Sequence, residues 1–192
     1  MVQNNSKQAL LKLLYERSFR YDSAKGFVLA SGTKSDIYVD VKKTVLSPPG
    51  GELTGRVLYD MIKDDPIDGI GGLTLGADPL AYATALISSM EGKPLSVFIV
   101  RKESKKHGTR RWVEGSLEEG ARVVVVDDVV TTGGSTIKAI ERAREAGLEV
   151  KRVIALVDRS EGGKENIEKE CGLPLEGVFQ RKDFIDLHEA DR

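Results

Sequence analysis

Apolar positions recur with two different periods along this chain, and the change between them marks its organisation. Near the N-terminus Leu10, Leu13 and Leu14 fall at helical spacing before Arg17, with Ser6 placed as a cap. Further on, Ile37, Val39 and Val41 alternate with Tyr38 and Asp40, which predicts a strand, half of a hairpin turning at Ser31 and Gly32. Pro48 and Pro49 end that strand and open a helix with Leu53, Val57, Leu58, Met61 and Ile62 on one side. Beyond it, short apolar runs alternate with amphipathic stretches. Strands are expected over 67–72, 95–100, 122–130 and 153–157. Helices are expected over 79–90 and through Ile137, Ile140, Ala143 and Ala146, closed by Gly147. Apolar runs without alternation are strands buried on both faces, and helices between them predict a mostly parallel sheet covered on both sides. The expected organisation is one α/β domain over 1–192, with an N-terminal helix-hairpin addition over 1–45 and a core over 66–160.

Composition narrows the class without changing that picture. At 192 residues the chain can bury a core without staples. Twenty-nine Lys and Arg against 30 Asp and Glu leave a net charge of −1, which gives no support to a nucleic-acid coat or a membrane-surface protein. The one cysteine, Cys171, excludes an internal disulfide and fits a reducing compartment. Lys12 and Glu16 interrupt the only apolar stretch near the N-terminus, so no signal peptide is expected there and the cytoplasm is the default.

The most informative stretch is VVVVDDVVTTGGST, from Val123 to Thr136: a buried strand, a Thr/Gly/Ser loop, then a helix. In an open parallel sheet this is the carboxyl end of a strand, where ligands bind. Gly133 and Gly134 let backbone N–H groups turn inward, the helix start adds partial positive charge, and Thr131, Thr132, Ser135 and Thr136 supply hydroxyls. The stretch lacks the Gly-Lys-Ser/Thr of a triphosphate loop and the GxGxxG of a dinucleotide site. Asp127 and Asp128 would repel a bare phosphate unless they face hydroxyls or a hydrated cation. The ligand implied is a sugar phosphate, with phosphate on the loop and ribose hydroxyls on the acids. The alternative is two acids that merely finish a strand before a tight turn.

This stretch resembles the phosphoribosyl-diphosphate motif of type I phosphoribosyltransferases: an apolar run, two acids, then a Thr/Gly-rich loop. The resemblance implies an α/β core with a hood over the acceptor base. It places Val129, Val130, Thr131, Thr132, Gly133, Gly134 and Ser135, with the two acids, around 5-phosphoribosyl 1-diphosphate (PRPP).

A second segment, RKESKKHGTRR over 101–111, follows a strand and precedes Gly115 and Gly120, so a long mobile basic loop is expected over 101–116. A solvated charge run and a nucleic-acid patch are the alternatives; neutral net charge and the lack of interleaved aromatics weaken the latter. As a lid over a polyanion it would place cations where charge develops on a departing diphosphate. Arg101-Lys102-x-x-Lys105-x-His107-Gly108 resembles the catalytic loop of orotate phosphoribosyltransferases. That resemblance implies diphosphate binding by Arg101, Lys102, Lys105 and His107, with Lys102 serving its own subunit and the others reaching across a homodimer.

Two further segments are similar to the same family. FVLASGTKSDIYVDVK, from Phe27 to Lys42, resembles its hood motif, although Phe27 and Tyr38 also suit ordinary hairpin packing. In ALVDRSEGG, Arg159 follows a strand, and its planar fork could hold the orotate carboxylate with Thr131 as partner; a surface ion pair is the rival reading. The chain departs from some members at Ala30 and Gly76, where they carry Lys. Mg²⁺ is expected to bind through PRPP and water, with no metal cage of protein ligands. His188, with no motif around it, is expected in a solvated tail. The function implied is transfer of a phosphoribosyl group to orotate. Another nucleobase as acceptor, or a PRPP-sensing nucleic-acid-binding regulator, are the alternatives.

Overall fold

The computed structural model describes residues 2–28, 34–103 and 112–191. The N-terminal part carries helix α1 (Val2–Ser18) and four short strands: β1 (Phe19–Tyr21), β2 (Phe27–Val28), β3 (Lys34–Ser35) and β4 (Ile37–Val39). β2 pairs antiparallel with β3, and β1 with β4, while the expected turn at Ser31 and Gly32 lies outside the described residues. The alternation holds, with Ile37 and Val39 buried and Tyr38 exposed. Val41 leaves the strand and precedes a short helix, α2 (Lys42–Val45), too brief for periodicity to reveal. Ser6 lies inside α1 and is not its cap. Ser47 caps α3 (Pro48–Ile62), its hydroxyl accepting from Gly50 N–H, and the two prolines fill the first positions, where no helical hydrogen bond is lost.

The core follows as β5 (Gly69–Leu73), α4 (Ala77–Met90), β6 (Ser96–Val100), β7 (Val113–Glu114), β8 (Arg122–Val130), α5 (Gly134–Glu145), β9 (Glu149–Asp158), α6 (Gly163–Cys171), β10 (Leu175–Gln180) and α7 (Arg181–Ala190). The six-stranded sheet has the order β10-β9-β8-β5-β6-β7, parallel except for β7. Val124 and Val126 of β8 pack with α1, α3, α4 and α7 on one face; Val123 and Val125 pack with α5 and α6 on the other. This two-sided burial is why β8 reads as an unbroken apolar run.

Two expectations need correction. The sheet does not end near 160, since β10 pairs with β9 as far as Gln180. Glu176, Gly177 and Gln180 interrupt the apolar pattern of β10, as an edge strand tolerates. His188 is not in a solvated tail: α7 lays it half-buried against α1 and β1, with Nδ1 3.3 Å from the Tyr15 hydroxyl and its ring 4.6 Å from that of Tyr21.

Candidate active site

Strand order reverses between β5 and β8, so the carboxyl ends of these neighbours open a crevice at the centre of the sheet. Into it run the turn after β5 and the loop after β8. Asp127 and Asp128 are successive residues of a strand, so their side chains leave on opposite faces. Asp127 is turned under α5 and buried; one carboxylate oxygen accepts from the Thr136 hydroxyl at 2.6 Å and the other from Asp128 N–H at 3.0 Å. Burial, assisted by the neighbouring Asp128 charge, lifts its pKa to about 7 against the pull of the Thr136 hydrogen bond. Asp128 comes up on the crevice side beside the turn after β5. A Cβ at Gly76 would lie 2.3 Å from its Oδ1, so a side chain at position 76 would make the Asp128 carboxylate shift. Lys42 of α2 approaches the same carboxylate, with Nζ 3.4 Å from Oδ2.

Beyond the acids, Val129 packs against the α1 side of the core and Val130 is buried, so these two present only backbone to the crevice. Thr131, Thr132 and Gly133 lead into α5. Gly133 takes φ +85° and lies against Gly163 O, a conformation and a fit that suit glycine. Among the described residues no side chain caps α5, which leaves its first-turn N–H groups without a side-chain acceptor, and a Cβ on Gly134 would meet nothing within 4 Å.

One strand over, Arg159 N–H donates to Val130 O at 3.0 Å, which sets Arg159 and Thr131 side by side at the ends of β9 and β8. The Arg159 side chain is 3% exposed; it bonds Ser35 Oγ at 2.7 Å and pairs with Glu161 at 2.8 Å. Burial draws its pKa down, opposed by the Glu161 charge, and its Nε–H has no hydrogen-bond partner among the described residues. Across the crevice, β6 and β7 hold the root of the basic segment. Arg101 donates to Glu114 at 3.1 Å, and Lys138 of α5 donates to Lys102 O at 3.0 Å while Arg142 stacks on Trp112 at 4.1 Å. A cavity of about 480 Å³ lies between this root and Thr74. Lys105 and His107 lie outside the described residues.

Residues 71–175 match the Phosphoribosyl transferase domain family. The chain is 48% identical over 179 residues to an orotate phosphoribosyltransferase of Aquifex aeolicus, covering 93% of this chain and 97% of that protein. The chain belongs to the orotate phosphoribosyltransferase family. The orotate phosphoribosyltransferase of Mycobacterium tuberculosis, solved in complex with Fe(III) dicitrate, superposes with a TM-score of 0.79 at 37% identity, over 93% of this chain and 98% of that one. The same enzyme in complex with PRPP gives a TM-score of 0.74 at 33% identity, over 94% and 92%. The fold is therefore the type I phosphoribosyltransferase fold expected from the β8 motif.

In this chain, the structure gathers Asp128, the loop from Thr131 to Ser135, and Arg159 around one crevice, while Asp127 stays behind the loop. Arg101 and Lys102 stand at its far side, Arg101 already paired with Glu114. Three contributors escaped the sequence reading, Ser35 and Glu161 on Arg159 and Lys42 on Asp128, and one is corrected: Thr136, expected among the cradle hydroxyls, is buried and donates to Asp127. Thr136 is the third residue of α5, which turns its hydroxyl back to the strand end and away from the loop. Lys42 and Ser35 carry no local signal, since their partners lie 86 and 124 positions away.

Proposed function

We propose that this chain transfers the 5-phosphoribosyl group of PRPP to N1 of orotate, forming orotidine 5'-phosphate and diphosphate in pyrimidine biosynthesis. The carrying observation is the buried arginine Arg159, with an unpartnered Nε–H, beside the uncapped start of α5 and the Asp128 carboxylate. The helix start and the hydroxyls of Thr131, Thr132 and Ser135 take the 5-phosphate. Asp128 accepts from ribose hydroxyls, and Asp127 holds the loop behind it through Thr136. Arg159 grips the orotate carboxylate with Thr131 alongside, a bidentate match that an uncharged base cannot make. Lys102, with Arg101, Lys105 and His107, faces the diphosphate and stabilises the charge that grows as the C1–O bond breaks. Orotate already has an acidic acceptor nitrogen, so no strong general base is needed. Among the described residues no three His, Cys, Asp or Glu side chains converge on a metal site. Mg²⁺ would ride on PRPP oxygens and water beside Asp128, neutralising diphosphate charge.

The enzyme works as a homodimer in this reading. Tyr82, Leu86 and Met90 form an exposed apolar stripe along α4, with exposed Leu75 at its foot. Such a patch suits a symmetric interface, and the basic segment can then reach the partner's crevice. Among the described residues no helix is long and apolar enough to cross a membrane. The buried, unpaired Cys171 suits a reducing cytoplasm.

Incubation with PRPP, Mg²⁺ and a panel of bases tests the reaction. Orotate should be converted in preference to uracil and the purines; conversion of another base with orotate untouched overturns the assignment. Mixing Lys105→Ala and Asp128→Asn dimers tests the shared site. Statistical exchange makes half of the dimers mixed with one intact site each, so up to about a quarter of wild-type activity should return. A mixture that stays inactive after exchange is verified by mass spectrometry places the lid in its own chain's site.

A further inference from the structure

Lys42 is positioned in a way that its own helix does not explain. It is the first residue of a four-residue helix, where a cation gains nothing from the backbone dipole. The helix is fixed from behind: Ser18 and Thr44, both buried, share a hydrogen bond of 2.7 Å between α1 and α2. From that anchor the Lys42 side chain extends between two carboxylates, with Nζ 3.6 Å from Asp40 Oδ1 and 3.4 Å from Asp128 Oδ2. Both contacts are longer than the roughly 2.7–2.9 Å of a strong charge-assisted hydrogen bond. Asp40 Oδ1 is shielded from solvent and has no hydrogen-bond partner among the described residues, so it is aimed at the ammonium without being satisfied by it. Meanwhile the Lys42 side chain is 44% exposed. Burial works against its charge, and the two carboxylates outweigh that, leaving its pKa above the usual lysine value. An ammonium with three donors thus waits at the crevice, charged and loosely held.

Its place along the reaction path follows from its neighbours. On the reading above, which this inference rests on, Asp128 takes ribose hydroxyls next to C1. The turn after β5 passes directly under Asp128, where Gly76 offers backbone and no side chain. Arg101 on the far wall is engaged by Glu114. A ribose docked on Asp128 competes with Lys42 for that carboxylate and brings the 1-diphosphate within one swing of the lysine's flexible stem. We propose that Lys42 is a diphosphate-binding residue, released from Asp40 and Asp128 as PRPP docks and donating hydrogen bonds to the leaving group. The C1–O electron pair departs on the diphosphate oxygen, and Lys42 keeps its proton throughout. A second polyanion contact is in this way delivered by the N-terminal segment, independently of the basic loop.

Calorimetry on the intact protein separates the diphosphate from the ribose side. Lys42→Ala should weaken binding of diphosphate with Mg²⁺ at least tenfold and leave the Kd of orotidine 5'-phosphate within twofold. The Lys42→Arg variant should recover most of the diphosphate affinity. In steady state, Lys42→Ala should lower kcat/KM for PRPP about tenfold with the orotate KM unchanged. If Lys42→Ala does not fold, Lys42→Met, which keeps the apolar stem, carries the same measurements. Unchanged diphosphate affinity overturns the inference, as does a loss confined to orotidine 5'-phosphate, which would make Lys42 a support for Asp128. A wild-type protein that neither binds diphosphate nor converts orotate fails the proposed function itself, a result read without any variant.

Discussion

The cradle after β8 and the N-terminal segment reach the same crevice by opposite routes. From Asp127 to Thr136 one unbroken run supplies acid, loop and helix start, and its parts are held by contacts between near neighbours, such as Thr136 on Asp127. The N-terminal segment has no such run. Ser35 and Ile37 reach Arg159, Asp36 pairs with Arg181 at 2.7 Å, and Lys42 reaches Asp128, each across more than 80 positions of chain. A local site is rigid because the strand and helix that frame it belong to the sheet. A site closed by distant contacts depends on how well an added layer sits on that sheet. On the proposed function the division also follows the substrates, with the cradle assigned to the donor and the hood supporting the arginine assigned to the acceptor. Lys42 is the exception, a hood residue directed at the donor.

Substitutions can break or sharpen that division. The largest effect is expected for Asp128→Asn, which removes the charge facing ribose hydroxyls while keeping the shape. Loss of charge-assisted hydrogen bonds worth about 2–3 kcal/mol should lower kcat/KM for PRPP about 100-fold and leave the melting temperature nearly unchanged. Arg159→Ala comes next: steady-state kinetics should show the orotate KM raised roughly 10- to 100-fold, with the PRPP KM little affected. Equal effects on both substrates would erase the division between acceptor and donor sides. Ser35→Ala removes one support of Arg159, at 2.7 Å, and should raise the orotate KM only about fivefold, for roughly 1 kcal/mol. A larger shift in the PRPP KM would show that the hood acts on the donor through more than Lys42.

The last effect is in stability and leaves the substrates aside. Asp127 holds its proton up to about pH 7 in the fold, whereas an unfolded aspartate releases it near 3.8. Between those values the folded state binds the extra proton, so this group's contribution to stability falls as pH rises through that window. Asp127→Asn removes the dependence and keeps an acceptor for Thr136. The melting temperature of Asp127→Asn minus that of wild type should therefore grow from pH 4 to pH 7, by an amount on the order of 10 °C. A flat difference would mean that Asp127 ionises in the fold as it does in the unfolded chain.

How much could be read in advance differs in the same way between the two regions. β8 carries five successive buried residues from Val123 to Asp127, and β9 is buried from Val153 to Asp158, so continuous apolarity marked both strands. β10 and α6 were passed over because an edge strand and a helix with only Ile167 and Cys171 turned inward need few apolar positions. α7 was passed over too, and with it the aromatic setting of His188.

By itself the sequence determined the α/β alternation, the phosphate-type loop and the acids before it. Strand burial and loop chemistry are properties of consecutive residues, and residue order states them directly. Only the tertiary structure decided that Asp127 lies behind the loop while Asp128 faces the crevice, that Arg159 is buried under Ser35, and that Lys42 stands against Asp128. These depend on how the β-pleat phases against the covering helices, and on how an N-terminal layer docks more than 80 positions from its partners. Pairings over that distance are selected by packing, which no local pattern of residues encodes.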